Sequence, residues 1–265
     1  MKSAALKIDM KNVVFFLIAL FSFQNALAIN TSEESRVIRI NGIITGNTLR
    51  QVQQDIGKWK NPDPIPGGLI VLLNSPGGNG EVAMQIGRIL RHHHAQAFVI
   101  GQCESACVFI LAGGVVRAAT DRSIGVHAGR LTITSRNGAV LKEIDAPQTL
   151  ENSFKLTSFN SEANQYFSEM GIKNGLIDVM LAHQTKKTYK LTEFEMQQFG
   201  IIGFDNQYLQ NRGNLFETLP KPNRINRIEL YNRTLSVPKL CASKSSNNNS
   251  FVQCYKAVLL GQTTP

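Results

Sequence analysis

A serine flanked by cysteines and a histidine further along the chain could carry out acyl transfer. In the stretch "GQCESACVFILAGG", residues 101–114, Ser105 precedes a short apolar run that predicts a helix. The amides at a helix N-terminus carry partial positive charge, which suits an anion that forms beside them. A serine needs a neighbouring base to be nucleophilic at neutral pH. His127, in the predicted strand "SIGVHAG", is the candidate base.

A glycine-rich loop supplies the other feature that acyl transfer requires. The segment "NSPGGNG", residues 74–80, follows the apolar run "GLIVLLNS" and opens the next predicted helix. Glycines allow a tight turn whose amides point outward. Amides from this loop and from the Ser105 loop would together form an oxyanion hole. A serine at a helix start is commonly only a cap, and a lone histidine is commonly a surface residue. The glycine loop, the serine and the histidine follow successive predicted strands, which favours catalysis.

The intervening pattern predicts how these residues meet. Strand-like and helix-like segments alternate from Arg36 onward, and the strand-like segments are "RVIRING", "GLIVLLNS", "AFVI" and "SIGVHAG". Alternation at this spacing is typical of crossover connections, and it predicts an α/β fold with a mainly parallel sheet. We expect the ends of successive strands to emerge at the same edge, with Ser105 and His127 around one pocket.

Several local signals complete the predicted elements. Asn47 or Thr48 would cap the first helix. The segment "TSRNGAV" predicts a hairpin with its turn at residues 137–138, and residues 151–182 read as mostly helical. Thr192 and Glu195 have the spacing of a capping box and predict another short helix.

The N-terminal residues predict export. Lys2, Lys7 and Lys11 precede the apolar run "NVVFFLIALFSF", and small residues follow at Ala26 and Ala28. This pattern is typical of a secretory signal that is cut after Ala28. The run is short for a membrane span. We therefore predict a signal peptide over residues 1–28 and an exported protein, periplasmic or secreted.

Composition and motifs exclude several partners. The formal net charge of the chain is +9, but the basic residues are scattered without aromatic interleaving, so no nucleic-acid partner is expected. The "GGNG" loop lacks the lysine and hydroxyl of a phosphate-binding loop. The three histidines at 92–94 are consecutive on a predicted helix and point to different faces. Neither a metal nor another cofactor is expected.

The four cysteines of an exported chain are candidates for disulfides. Of the three pairings, the simplest joins Cys103 with Cys107 and Cys241 with Cys254. A bridge across one helical turn needs distorted geometry. Two buried free thiols beside Ser105 are therefore an alternative to the first bridge.

Taken in order, four segments resemble motifs of the proteolytic subunit of Clp protease. They are "LNSPGG", "GQCESACVFILAGG", "VVRAATDRSIGVHAG" and "YKLTEFEMQQFGII". The chain is most similar to exported relatives in which cysteines flank the serine. The resemblance covers about Arg36 to Phe204 and implies a ClpP/crotonase fold, built of stacked strand–strand–helix units, with serine peptidase activity. It divides the chain into a signal peptide (1–28), a ClpP/crotonase-like domain (29–205) and a C-terminal extension (206–265), either packed on the domain or partly mobile.

The resemblance also implies roles for individual residues. Ser105 corresponds to the nucleophile and His127 to the general base. Gly77 or Gly78, together with the amide of Ala106, corresponds to the oxyanion hole.

The third member of the expected triad is where the chain departs from the family. The family has an aspartate shortly before the segment that matches "LTEFEMQQFG", whereas Thr188 lies nearest that place here. Asp178 could substitute if its loop folds back. A hydroxyl, a carbonyl or water could instead orient the imidazole, and Lys186 or Lys187 could serve in a serine–lysine arrangement.

Three functions are compatible with these residues. The first is an exported serine peptidase that cleaves peptides or unfolded segments without ATP or a partner ATPase. The second, suggested by the missing aspartate, is a catalytically impaired protein that binds peptides or acts as a scaffold. The third is thioester chemistry of the crotonase kind, which export opposes because acyl-coenzyme A is cytoplasmic. Relatives of this fold form rings and trimers, so self-association is expected.

Overall fold

The computed structural model describes residues 36–58, 68–134, 140–144, 149–184, 187–221 and 223–262. In the described ranges the strands are β1 (Val37–Asn41), β2 (Ile70–Ser75), β3 (Gln96–Glu104), β4 (Val116–Ala118), β5 (Ile124–Val126), β6 (Leu131–Thr134), β7 (Val140–Ile144), β8 (Tyr189–Lys190) and β9 (Gly203–Phe204). The helices are α1 (Gly46–Gly57), α2 (Gly80–His92), α3 (Cys107–Gly113), α4 (Leu150–Glu169), α5 (Leu176–Ala182), α6 (Glu193–Phe199), α7 (Asn206–Glu217), α8 (Arg227–Cys241) and α9 (Asn248–Leu259).

A seven-stranded sheet organises these elements, with the order β1-β2-β3-β4-β9 and with β5 and β8 branching from β3. The pairs β1–β2, β2–β3, β3–β4 and β3–β5 are parallel, whereas β9 and β8 join in antiparallel orientation. The long strand β3 therefore pairs with β4 through its first residues and with β5 through its last. The predicted α/β class with a mainly parallel sheet is confirmed.

Local signals agree with the structure in most places. Strands β6 and β7 form the predicted antiparallel hairpin, while its turn lies outside the described residues. The capping box of Thr192 and Glu195 opens α6. The cap of α1 is Thr45 rather than Asn47 or Thr48. The Thr45 side chain accepts from the backbone amide of Thr48, and the Thr48 side chain accepts from the backbone amide of Thr45, a reciprocal pair that ties down both ends of the first turn.

The two faces of the sheet bury separate apolar clusters. Side chains alternate along a strand, so Val71 and Leu73 of β2 pack on one face with helices α1 to α6. Ile70 and Leu72 point the opposite way and pack with residues of α8 and α9. The continuous apolar run of β2 reflects burial on both faces.

The C-terminal residues cover the second face of the sheet. Helices α8 and α9 contribute buried apolar residues there, among them Leu230, Val237, Phe251 and Tyr255. The described residues belong to one compact unit. Of the two arrangements expected for residues 206–265, the structure has the packed one over the part it describes.

The proposed signal peptide lies outside the described residues. Within the described ranges, none of the helices combines the length and the apolar character needed to cross a membrane.

Replacing Phe251 with alanine is expected to destabilise the protein by about 3–5 kcal/mol, the usual cost of emptying a buried phenylalanine site. Phe251 is fully buried, and its ring lies 5.9 Å from that of Phe98, centroid to centroid. Chemical denaturation measures the change in the free energy of unfolding. Phe194→Ala is the matched control, because 74% of Phe194 is exposed and its loss should change stability little. An equal effect of both variants would contradict burial of the C-terminal helices against the sheet.

Candidate active site

Ser105 lies at the junction of β3 and α3 in an unusual backbone conformation. Its φ is 53°, in the left-handed region that residues other than glycine seldom adopt. The Ser105 amide donates to the carbonyl of Gly125 at 2.8 Å, and this bond continues the β3–β5 pairing. Such strained positions persist only where the surrounding structure enforces them, and they cluster at functional sites.

The glycine loop between β2 and α2 packs directly against the Ser105 loop. A Cβ atom at Gly77 would lie 2.7 Å from the Cβ of Ser105 and 2.8 Å from the carbonyl oxygen of Glu104, so only glycine fits there. The loop is held from its other side by Ile44, whose amide donates to the Gly77 carbonyl at 2.8 Å. The Ile44 carbonyl accepts from the Asn79 amide at 2.9 Å. The two predicted loops are therefore adjacent.

The backbone amides of the two loops differ in whether they have an acceptor. The Gly77 amide donates to Ser75 Oγ at 3.1 Å. The amides of Gly78 and Ala106 have no acceptor within the described part of the chain. Of the two glycines suggested by the sequence, Gly78 is therefore the one whose amide has no acceptor in the described chain, whereas the Gly77 amide is used within the loop.

His127 follows β5, the strand that pairs with the end of β3. Glu104 and Gly125 are register partners, so Ser105 and His127 lie just beyond the last pair of two neighbouring strands. His127 Nδ1 lies 2.6 Å from the carbonyl oxygen of Ala128. Since a carbonyl only accepts, Nδ1 is the donor in this contact.

Ala128, whose carbonyl contacts His127, also makes a hydrogen bond through its own amide. The Ala128 amide donates to the His183 carbonyl at the end of α5, at 3.0 Å. Ser105 Oγ has no hydrogen-bond partner among the described residues. The structure thus brings the serine loop, the glycine loop and the histidine strand to one edge of the sheet without joining the hydroxyl to the imidazole.

The candidates for the third member take different places. Thr188 lies next to β8 and donates from Oγ1 to Glu104 Oε2 at 3.0 Å. Asp178 is exposed on α5 and makes no ion pair or hydrogen bond with the rest of the described chain. Lys187 is also exposed, and Lys186 lies outside the described residues.

Glu104 is a charged neighbour of the site that the sequence interpretation missed. Its carboxylate accepts from Thr188 and contacts Lys190 Nζ. The side chain is only 19% exposed. The sequence signal was its position directly before Ser105 in "CES", but its partners belong to a strand more than eighty residues later.

Hydrogen bonds also fix the segment that follows Thr188. The Thr192 backbone amide donates to Glu195 Oε2 at 2.8 Å. This bond, with that from Tyr189, lowers the pKa of the Glu195 carboxyl despite its partial burial. The Tyr189 hydroxyl donates to Glu195 Oε1 at 2.7 Å, which raises the pKa of the phenol. The tyrosine ring stacks on His183 with 4.2 Å between centroids.

Both disulfides join cysteines that are close in sequence. Cys103 and Cys107 are bridged with their Cα atoms 5.2 Å apart, and Cys241 and Cys254 with theirs 5.8 Å apart. Both separations lie in the usual range for disulfides. The simplest predicted pairing is confirmed, and the alternative of two free thiols beside Ser105 is wrong. Two disulfides are compatible with an exported protein.

In the ranges that the structure covers, no cluster of three or more His, Cys, Asp or Glu side chains could hold a metal ion.

The fold is similar to that of solved structures. A mutant of ClpP1 from Listeria monocytogenes matches with a TM-score of 0.47 and 16% sequence identity, over 63% of this chain and 88% of that chain. No family model matches the sequence, and no curated protein matches it.

Proposed function

We propose that this chain is an exported serine peptidase that cleaves peptides or unfolded protein segments without ATP. The observation that carries the proposal is the left-handed Ser105, between two loops whose Gly78 and Ala106 amides have no other acceptor in the described chain. The signal-peptide pattern of the N-terminal sequence and the two disulfides support an exported location, periplasmic or secreted. Self-association is part of the proposal, and a partner ATPase is not.

In the proposed reaction, Ser105 Oγ attacks the carbonyl carbon of the scissile peptide while His127 Nε2 takes the hydroxyl proton. The negative charge that forms on the carbonyl oxygen is stabilised by the amides of Gly78 and Ala106. The C–N bond then breaks as the imidazolium gives its proton to the leaving amine. Water, activated by the same imidazole, hydrolyses the acyl-serine ester and restores the hydroxyl.

The Ala128 carbonyl performs the orienting task that a carboxylate has in a Ser–His–Asp triad. It holds the proton on Nδ1 and so keeps the basic nitrogen at Nε2. A carbonyl carries less negative charge than a carboxylate, so it stabilises the imidazolium less. The hydroxyl-to-imidazole hydrogen bond would form on substrate binding, since such contacts are often loose in the free enzyme.

A fluorophosphonate probe tests this proposal without knowledge of the substrate. Attack by Ser105 Oγ forms a P–O bond and expels fluoride, while His127 accepts the proton. We expect the folded protein to be labelled, mass spectrometry to place the adduct on Ser105, and Ser105→Ala to abolish labelling. Absence of labelling in folded wild-type protein, or unchanged labelling of Ser105→Ala, would contradict it.

A second candidate, a peptide-binding or scaffolding protein, is favoured by one observation. Ser105 Oγ is not hydrogen-bonded to a base among the described residues, and the exposed Asp178 side chain makes no contact there with His127. This function predicts that peptides bind equally well to wild-type protein and Ser105→Ala, with neither labelled. Fluorescence anisotropy with a panel of unfolded peptides distinguishes binding alone from turnover.

A further inference from the structure

Glu104 places a shielded carboxylate at the sheet edge that carries His127. Its Oε2 accepts from Thr188 Oγ1 at 3.0 Å, and its Oε1 contacts Lys190 Nζ. The Glu104 side chain is 19% exposed and that of Lys190 35%. This charged contact joins the end of β3 to β8, although β5 lies between these two strands.

Strand register places this carboxylate on the same face as the histidine side chain. Glu104 pairs with Gly125 of β5, and Gly125 pairs with Lys190 of β8, so the three form a row across the sheet. Side chains two residues apart on a strand share a face, which puts His127 on the face of Gly125. Continuing the β5–β8 register sets Thr188 opposite His127.

Gly125 makes the contact between Glu104 and Thr188 sterically feasible. A Cβ atom at Gly125 would lie 2.9 Å from both the Cβ and Oγ1 atoms of Thr188, and 3.1 Å from the Cγ atom of Glu104. The two side chains therefore meet over a position on β5 that has no side chain of its own. The row from β3 to β8 depends on this glycine.

We propose that Glu104 and Thr188 are positioning residues for His127, which rests on the proposed function. Their hydrogen bond fixes β8 against β3 across β5 and so sets the separation of the strand ends that carry Ser105 and His127. The Glu104 carboxylate also places negative charge on the face where the imidazolium forms, which stabilises that cation. Lys190 holds the carboxylate in place and offsets part of its charge.

Fluorophosphonate labelling kinetics test this role by separating the inactivation rate constant, kinact, from the probe affinity, KI. Thr188→Val keeps the side-chain shape but removes the donor. We expect it to lower kinact about ten-fold with KI unchanged, the scale of one hydrogen bond to a charged group. Thr188→Ser keeps the hydroxyl and should label within about two-fold of the wild-type rate.

A double-mutant cycle tests whether the two residues act through one contact. Glu104→Gln is also expected to lower kinact about ten-fold, and Thr188→Val combined with Glu104→Gln should be no slower than either alone, because coupled partners are not additive. Glu169→Gln is the control: this glutamate also pairs with a basic residue, Arg88, but it lies at the end of α4. Circular dichroism confirms that each variant is folded, and Glu104→Gln tests the same contact if Thr188→Val does not fold.

Three results would overturn the inference. They are a wild-type kinact in folded Thr188→Val or Glu104→Gln, a Thr188→Ser variant as slow as Thr188→Val, or an additive loss of about a hundred-fold in the double variant. These differ from failure of the proposed function, which would appear as wild-type protein that is not labelled at Ser105.

Discussion

Replacing His127 with glutamine is expected to lower the rate of fluorophosphonate labelling about a thousand-fold, within the range that general acid–base catalysis contributes. Glutamine can still donate a hydrogen bond toward the Ala128 carbonyl that now holds Nδ1. It has no basic nitrogen to accept the Ser105 proton, so the unassisted hydroxyl would react slowly. Labelling rates at neutral pH, measured on protein with an unchanged circular dichroism spectrum, give the effect.

His94→Gln is the matched control for this prediction. His94 is exposed after the end of α2 and should label at the wild-type rate. If His127→Gln labels as fast as the wild type while Ser105→Ala is not labelled, the nucleophile is correct and the base is a different group. If neither His127→Gln nor Ser105→Ala changes labelling, the adduct is on another residue and the proposed site is wrong.

Removing the disulfide between Cys103 and Cys107 is expected to slow labelling about a hundred-fold, the scale of a displacement of about 1 Å at a reacting group. The bridge spans Ser105, joining the end of β3 to the first residue of α3. Both cysteines are fully buried. Without the bridge, the loop can relax from its positive φ, and the hydroxyl and the Ala106 amide would lose their placement. The variant with alanine at both positions tests this.

The Cys241–Cys254 disulfide is a matched control within the same chain. Its sequence separation is 13 residues, against 4 for the other bridge. Chain entropy therefore assigns it the larger share of stability, about 3 kcal/mol against about 2 kcal/mol. We expect the variant with alanine at 241 and 254 to have the lower free energy of unfolding. The variant with alanine at 103 and 107 should have the lower labelling rate. Equal labelling rates in the two folded variants would show that the first disulfide does not position the site.

The position of the missing triad carboxylate shows the limit of local patterns. The sequence led to Thr188 and Asp178, because the expected aspartate lies just before the α6 segment. In the structure Thr188 does approach the site, but its partner is Glu104, on a strand that is not adjacent in sequence. Spacing along the chain cannot reveal this contact, since it depends on the register of β8 against β5 and on the absence of a side chain at Gly125.

The C-terminal helices show a similar limit. Residues 206–265 are rich in Asn, Arg and Pro, so their sequence indicated little core of its own. In the structure their buried residues recur at helical spacing on α8 and α9. Phe251 and Tyr255 pack on Phe98 of β3. The apolar surface that they need is supplied by the sheet, and a pattern read within one segment does not include its partner.

The sequence by itself predicted the parallel sheet, the two glycine-rich loops and the placement of Ser105 and His127 after neighbouring strands. It also made the observed disulfide pairing the simplest of the three. These follow from local propensities: apolar runs form buried strands, glycines turn the chain, and alternation fixes crossover connections. Only the tertiary structure decided that Gly78 rather than Gly77 has an available amide, that the Ala128 carbonyl holds the imidazole, and that Glu104 faces Thr188. Those are contacts between segments distant in sequence or details of backbone direction, and they are set by strand register and packing.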